Sequence, residues 1–338
     1  MKSYPLSYRE LFMSNKKTAK MEEKEFEAKL RSVNEVKFPL VKAAFKGKDG
    51  NVYIGMMLID TGSVDCILNK SVLSLIDSSL IREDDKKVIH SIQSDANTCQ
   101  GVDFTFKMGN EVFSDIFYVN EEIDFNQMFE GFVGIIGHEF LRKHQLVLDY
   151  SSKTLHGAFG NLGNPCDYDF FFPMEYGIKQ YNIPVVGLVY GNKEYIMVAD
   201  SGANDTVITQ FVIDESGASA NAESGNGSVV GFNNKPMDTS IQEVNLCLLS
   251  IGGTEEEPKL CSYKDNVQVV GEHKYLMDNL KDSDGNELPP ISGLLSSAFM
   301  LEHKWVMDFG AGVMYSNNVE HKDSIAKTSP NQEKSSSL

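Results

Sequence analysis

What most constrains this chain is that it says the same thing twice. An apolar strand, Val52-Tyr53-Ile54-Gly55-Met56-Met57-Leu58-Ile59, runs straight into Asp60-Thr61-Gly62-Ser63. Later, Glu194-Tyr195-Ile196-Met197-Val198-Ala199 runs into Asp200-Ser201-Gly202-Ala203. Each strand is the second arm of a hairpin pattern, with its turn at Asp49-Gly50 in the first copy and at Gly191-Asn192 in the second. Downstream, Gly134-Ile135-Ile136-Gly137-His138-Glu139-Phe140-Leu141 leads to Asp149-Tyr150. Gly293-Leu294-Leu295-Ser296-Ser297-Ala298-Phe299-Met300 leads over the same interval to Asp308-Phe309. A duplicated unit of strands predicts an all-β chain of two related lobes, packed about a pseudo-two-fold axis with the repeated carboxylates between them.

At 338 residues there is enough chain for two such lobes, each burying its own core. The repeat divides it into a charged N-terminal segment (1–34), a first lobe (35–160), a connection (161–181), a second lobe (182–318) and a polar tail (319–338) expected to be disordered. Within the first segment, Lys16 to Arg31 is helix-prone. The connection carries Phe170-Phe171-Phe172-Pro173, and so many aromatics predict that it is packed. The second copy is longer between its aspartate and its glycine element. Its extra residues are expected in surface loops, at Asp214 to Ser228 and at Gly252 to Pro290.

A formal net charge of −17 argues against nucleic acid or an anionic membrane as a partner, because both need clustered Lys and Arg. The five cysteines form no Cys-x-x-Cys pair, which predicts reduced thiols and neither a disulfide framework nor a zinc knuckle. No run approaches the ~20 apolar residues of a membrane span, and the first ten residues carry no apolar core of a signal peptide. The expectation is a cytoplasmic protein without a cofactor, in which a monomer suffices.

Placing a carboxylate directly after an apolar strand is costly unless the carboxylate has work to do, since burying an unpaired charge costs several kcal/mol or shifts its pKa. The glycine after each Asp-hydroxyl pair lets the backbone turn tightly. If Asp60 and Asp200 meet on the axis, two like charges a few ångströms apart cannot both ionise near neutrality, so the pair shares a proton. Such a pair can hold a water, deprotonate it, and protonate a carbonyl oxygen or a leaving nitrogen.

Asp60-Thr61-Gly62-Ser63 and Asp200-Ser201-Gly202-Ala203 resemble the Asp-Thr/Ser-Gly signature of the pepsin and retropepsin superfamily. Phe132-Val133-Gly134-Ile135-Ile136-Gly137 and Ile291-Ser292-Gly293-Leu294-Leu295 resemble its apolar-apolar-Gly element. The resemblance covers about Glu35 to Asn318. The lobes are most similar to those of compact bacterial and retroviral-type members. It implies a two-lobed acid-protease fold and an aspartic endopeptidase with catalytic Asp60 and Asp200, acting on a polypeptide held in extended conformation. It also implies that Gly134 and Gly293 thread beneath the catalytic loops, and that Thr61 and Ser201 hydrogen-bond across the lobes. Gly62, Ser63 and Gly202 would complete the loops. A first-lobe flap is implied within Val88 to Phe106, where the tyrosine usual in single-chain members is missing. A peptide-binding relative with the same cleft and little or no turnover remains the alternative.

Ser63 has a hydroxyl where the second copy has Ala203. If that hydroxyl donates to Asp60, the Asp60 anion is favoured and Asp200 keeps the shared proton. Asp149 and Asp308 are expected to be turn formers. His138 and His144 are six apart and cannot share a helix face as a zinc motif would require. His144 and His303 hold equivalent places, which points to helix C-terminal capping.

Overall fold

A computed structural model of the chain describes residues 27–33, 36–90, 96–120, 125, 131–158, 168–174, 183–191, 193–216, 225–230, 236–250, 259–271, 276 and 290–316. In chain order, a short strand β1 (Glu27–Lys29) precedes the strands of the first lobe. These are β2 (Arg31–Val33), β3 (Val36–Lys46), β4 (Val52–Asp60), β5 (Cys66–Leu68), β6 (Ile81–His90), β7 (Ala96–Met108), β8 (Glu111–Val119) and β9 (Phe132–Gly137). Three strands follow: β10 (Leu146–Asp149), β11 (Thr154–Gly157) and β12 (Phe170–Pro173). The second lobe has β13 (Val185–Tyr190), β14 (Lys193–Asp200), β15 (Val207–Thr209), β16 (Gly225–Val230), β17 (Pro236–Ser250), β18 (Lys259–Val270) and β19 (Ile291–Ser296). The described chain ends with β20 (Val306–Asp308) and β21 (Val313–Ser316).

The predicted all-β, two-lobed architecture is what the chain forms. In the first lobe the order is β2-β3-β4-β9-β5-β8-β7-β6, and β3 also pairs with β7, which closes a barrel of β3, β4, β9, β5, β8 and β7. In the second the order is β13-β14-β19-β15-β18-β17-β16, closed in the same way by β13 on β17. Closure removes the unpaired edges that would otherwise invite aggregation. The two barrels match strand for strand. In each, the outer strand (β6 or β16) forms an antiparallel hairpin with the long strand beside it (β7 or β17).

A third sheet joins the lobes, in the order β1-β11-β10-β20-β21-β12. The strands ending at Asp149 and Asp308 leave their barrels and pair with each other, Leu148 opposite Met307. Trp305, the chain's one tryptophan, is fully buried here and stacks on Phe170 with ring centroids 4.3 Å apart. The described part of the connection, 168–174, is packed as expected, with Phe170 to Phe172 buried in β12.

Other expectations need correction. The helix-prone stretch ends in strand, because Glu27–Lys29 pairs with β11; residues 16–26 lie outside the described part. The supposed loop from Gly252 contains β18. Its residues alternate buried and exposed around Cys261 and Tyr263, the period-two signature of a barrel strand despite flanking acidic residues. Likewise Gly225–Ser228 of the other supposed loop lies in β16 and pairs with β17. The tail, 319–338, lies outside the described residues. Among the described residues no helix is long and apolar enough to cross a membrane.

Candidate active site

Strand alternation aims the two aspartates out of the barrels. Along β4, Met57 and Ile59 point into the main core, so Met56, Leu58 and Asp60 share the opposite face. Along β14, Met197 and Ala199 face the core, leaving Ile196, Val198 and Asp200 on the other face. Two small apolar clusters cover these outward faces, one per lobe. In the first, Leu58 packs with Phe132 and Ile135; in the second, Val198 packs with Ile291 and Leu294, and Val64 and Ala203 of the two Asp-hydroxyl-Gly loops lean on it. Each aspartate thus sits at the end of an apolar wall.

The glycine elements set the strand ends in place. β9 runs parallel to β4 and antiparallel to β5, with Asp60 opposite Gly137. β19 does the same between β14 and β15, with Asp200 opposite Ser296 and the same irregularity in register three residues upstream. Gly134 is needed because a Cβ there would strike the carbonyl oxygen of Ile67. At Gly293 it would come within 2.7 Å of the carbonyl oxygen of Val207.

Thr61 and Ser201, both fully buried, lock the loops together. The Thr61 N–H donates to Ser201 Oγ and the Ser201 N–H donates to Thr61 Oγ1, each at 2.9 Å. Thr61 Oγ1 in turn donates to the Ala199 carbonyl (2.6 Å), and Ser201 Oγ to the Ile59 carbonyl (2.7 Å). Four reciprocal bonds hold the axis, as the resemblance implied. They bring Gly62 against the Asp200 carboxyl, where a Cβ would lie 2.6 Å from Cγ, and Gly202 against the Asp60 carboxyl. Only glycine allows that approach.

Burial raises the pKa of Asp60 well above the ordinary carboxylate value, and the neighbouring Asp200 charge adds to the rise. Burial also raises Asp200. Both keep part of their surface open to solvent, so water reaches the pair. Asp60 Oδ1 accepts the N–H groups of Gly62 (3.0 Å) and Ser63 (3.1 Å), and Asp200 Oδ1 accepts that of Gly202 (2.8 Å). The Ser63 hydroxyl does not polarise the dyad. It donates to the Asp65 carbonyl at 2.8 Å, so the expected placement of the proton on Asp200 loses its cause.

The other predicted roles sort as follows. Asp149 Oδ1 accepts the N–H groups of Ser151 and Ser152, and Asp308 Oδ1 accepts that of Ala311, so both are turn formers. His144 and His303 are the C-cap residues of matched helices, His138–Lys143 and Ser297–Glu302, and each ring packs on a helix phenylalanine (Phe140 or Phe299) at 4.4 Å. Among the described residues no three His, Cys, Asp or Glu side chains gather where they could hold a metal. The four described cysteines are free thiols. The expected flap region coincides with the β6–β7 hairpin, whose tip, 91–95, lies outside the described residues.

Two features escaped the sequence reading. Lys87 on β6 pairs with Asp65 of the loop that follows Asp60 (2.7 Å) and lies over the Tyr118 ring, tying the hairpin to the loop. Tyr150 is buried within reach of the charges of both aspartates. Burial, and then the Asp200 charge, raise its phenol far above the usual value. The Asp149-Tyr150 pair had been visible only as the end of a repeat. A scan against models of protein families gives no match, and a search of curated proteins gives none.

Proposed function

We propose that the protein is an aspartic endopeptidase of the pepsin and retropepsin type, hydrolysing peptide bonds with a water activated between Asp60 and Asp200. The observation that carries this reading is the meeting of two solvent-reached carboxyls of raised pKa, held by four cross-lobe hydrogen bonds that Thr61 and Ser201 make with each other and with the Ala199 and Ile59 carbonyls, and by two glycines that admit them. A structural β-protein has no use for such a pair, because each buried carboxyl costs stability.

In the mechanism, the ionised carboxylate takes a proton from the water as its oxygen attacks the scissile carbonyl carbon. The protonated partner gives its proton to the carbonyl oxygen. The neutral tetrahedral diol then collapses: the C–N bond breaks as the nitrogen takes a proton from the carboxyl that received the water's proton, while the other carboxylate takes the proton of one diol hydroxyl as the carbonyl re-forms. The pair ends with one proton, ready for another cycle. As the resemblance implies, extended substrate would bind by strand-like hydrogen bonds, with apolar side chains flanking the scissile bond.

The test is cleavage of a peptide library across pH by wild type, Asp60→Asn and Asp200→Asn. Each substitution removes a proton carrier while keeping shape, so turnover should fall at least about a hundredfold. A pepstatin-type transition-state mimic should inhibit wild type, and a chelator should not. Wild-type turnover in either variant refutes the assignment.

A further inference from the structure

The two catalytic loops are held at the same carbonyl by different side chains. In the second lobe the Ala203 carbonyl accepts the Ser297 N–H (2.9 Å) and the Ser297 hydroxyl (3.0 Å). In the first lobe the Ser63 carbonyl accepts the His138 N–H (2.9 Å) and lies 3.0 Å from His138 Nδ1. A carbonyl oxygen only accepts, so Nδ1 carries the hydrogen. The imidazole is completely buried, and its Nε2 faces Glu139 Oε1 at 3.6 Å. His138, and then Arg142, hold the Glu139 carboxyl down to about 2. The Glu139 N–H donates to the next loop carbonyl, that of Val64 (3.3 Å).

The residue so gripped matters to the dyad. The Ser63 N–H is shared between Asp60 Oδ1 (3.1 Å) and the Asp60 carbonyl (3.3 Å). A small rotation of Ser63 would pass that N–H wholly to the carbonyl and leave the carboxylate with the Gly62 donor alone on that oxygen. The grip on the Ser63 carbonyl opposes the rotation. We propose that His138 is a positioning residue of the first catalytic loop, its Nδ1–H fixing Ser63 so that the Ser63 N–H stays on Asp60. The inference rests on the reading of Asp60 and Asp200 as the reacting pair, and it returns to Ser63 the influence on Asp60 that its hydroxyl lacks.

The discriminating substitutions are His138→Asn and His138→Gln. The Asn amide can donate from near the Nδ1 position, whereas the Gln amide reaches toward Nε2 and leaves Ser63 unheld. Asp60 faces Asp200 across the axis, with Tyr150 near enough to feel both charges and the Gly62 and Ser63 N–H groups on its own loop, and all of these are unchanged in both variants. In His138→Gln, kcat should fall about tenfold with KM unchanged. The acidic limb of the pH profile should move up by about one pH unit, the worth of one hydrogen bond to a carboxylate. His138→Asn should recover most of the wild-type rate and the wild-type limb. Carbon NMR of the dyad carboxyls, read as one joint titration, should show the same ordering without reference to turnover. Asp60→Asn cleaving normally would sink only the peptidase reading. Equal carboxyl titrations in wild type, His138→Asn and His138→Gln, or a shift in Asn and not in Gln, would overturn the role of His138.

Discussion

Replacing Thr61 by valine keeps the shape of the side chain and deletes one oxygen, yet that oxygen serves both lobes. It donates to the Ala199 carbonyl at 2.6 Å and accepts the Ser201 N–H at 2.9 Å, with Thr61 and Ser201 fully buried. Each buried group left unpaired costs about 1–3 kcal/mol, so the variant should lose roughly 2–6 kcal/mol. That is a large part of the ~5–15 kcal/mol by which a typical protein is stable. Thr61→Ser is the control: it keeps both bonds and loses one methyl, about 0.5–1.5 kcal/mol by analogy with other single-methyl deletions. Urea unfolding followed by fluorescence suits the question, because Trp305 is the only tryptophan and stacks on Phe170 of the sheet that joins the lobes. The urea midpoint of Thr61→Val should drop well below that of Thr61→Ser at equal m. Agreement of the two variants within about 0.5 kcal/mol would show that the cross-lobe bonds are not what holds the axis.

Asp149→Asn tests the turn after β10. Burial works to raise the Asp149 carboxyl, but His156 and the hydroxyls of Ser151 and Ser152 outweigh it and hold it well below the usual range. A depressed carboxyl stabilises the fold above its unfolded pKa of about 4, and that contribution fades as pH falls toward the folded value. Asp149→Asn should therefore cost roughly 1–3 kcal/mol at pH 7 and flatten the loss of stability between about pH 5 and 2; an unchanged pH dependence in denaturant titrations contradicts this. Tyr150→Phe should change stability by no more than about 1 kcal/mol in either direction, since desolvating the buried hydroxyl is costly and its interaction with Ser201 offsets that only in part. A destabilisation above about 2 kcal/mol in thermal melts would mean that the hydroxyl is bonded.

Much of the site could be read along the chain because its signals are local. The alternation that turns Asp60 and Asp200 outward from Met57, Ile59, Met197 and Ala199 is a property of neighbouring residues, as is the glycine that must follow each hydroxyl. Duplication extended these local signals to a statement about two lobes, and it marked His144 and His303 as matched helix ends. Pairing over distance was not legible. Nothing in Leu146–Asp149 says that it leaves its barrel to pair with Val306–Asp308, and nothing in the acidic surroundings of Lys259–Val270 says that β17 will accept it as a barrel strand. Such partners are chosen by register and burial among residues far apart in the chain, which a local pattern does not encode. The direction of a rotatable hydroxyl is the smallest case of the same limit. Sequence placed Ser63 beside Asp60, but the Asp65 carbonyl took its hydroxyl, and His138, seventy-five positions away, took its carbonyl.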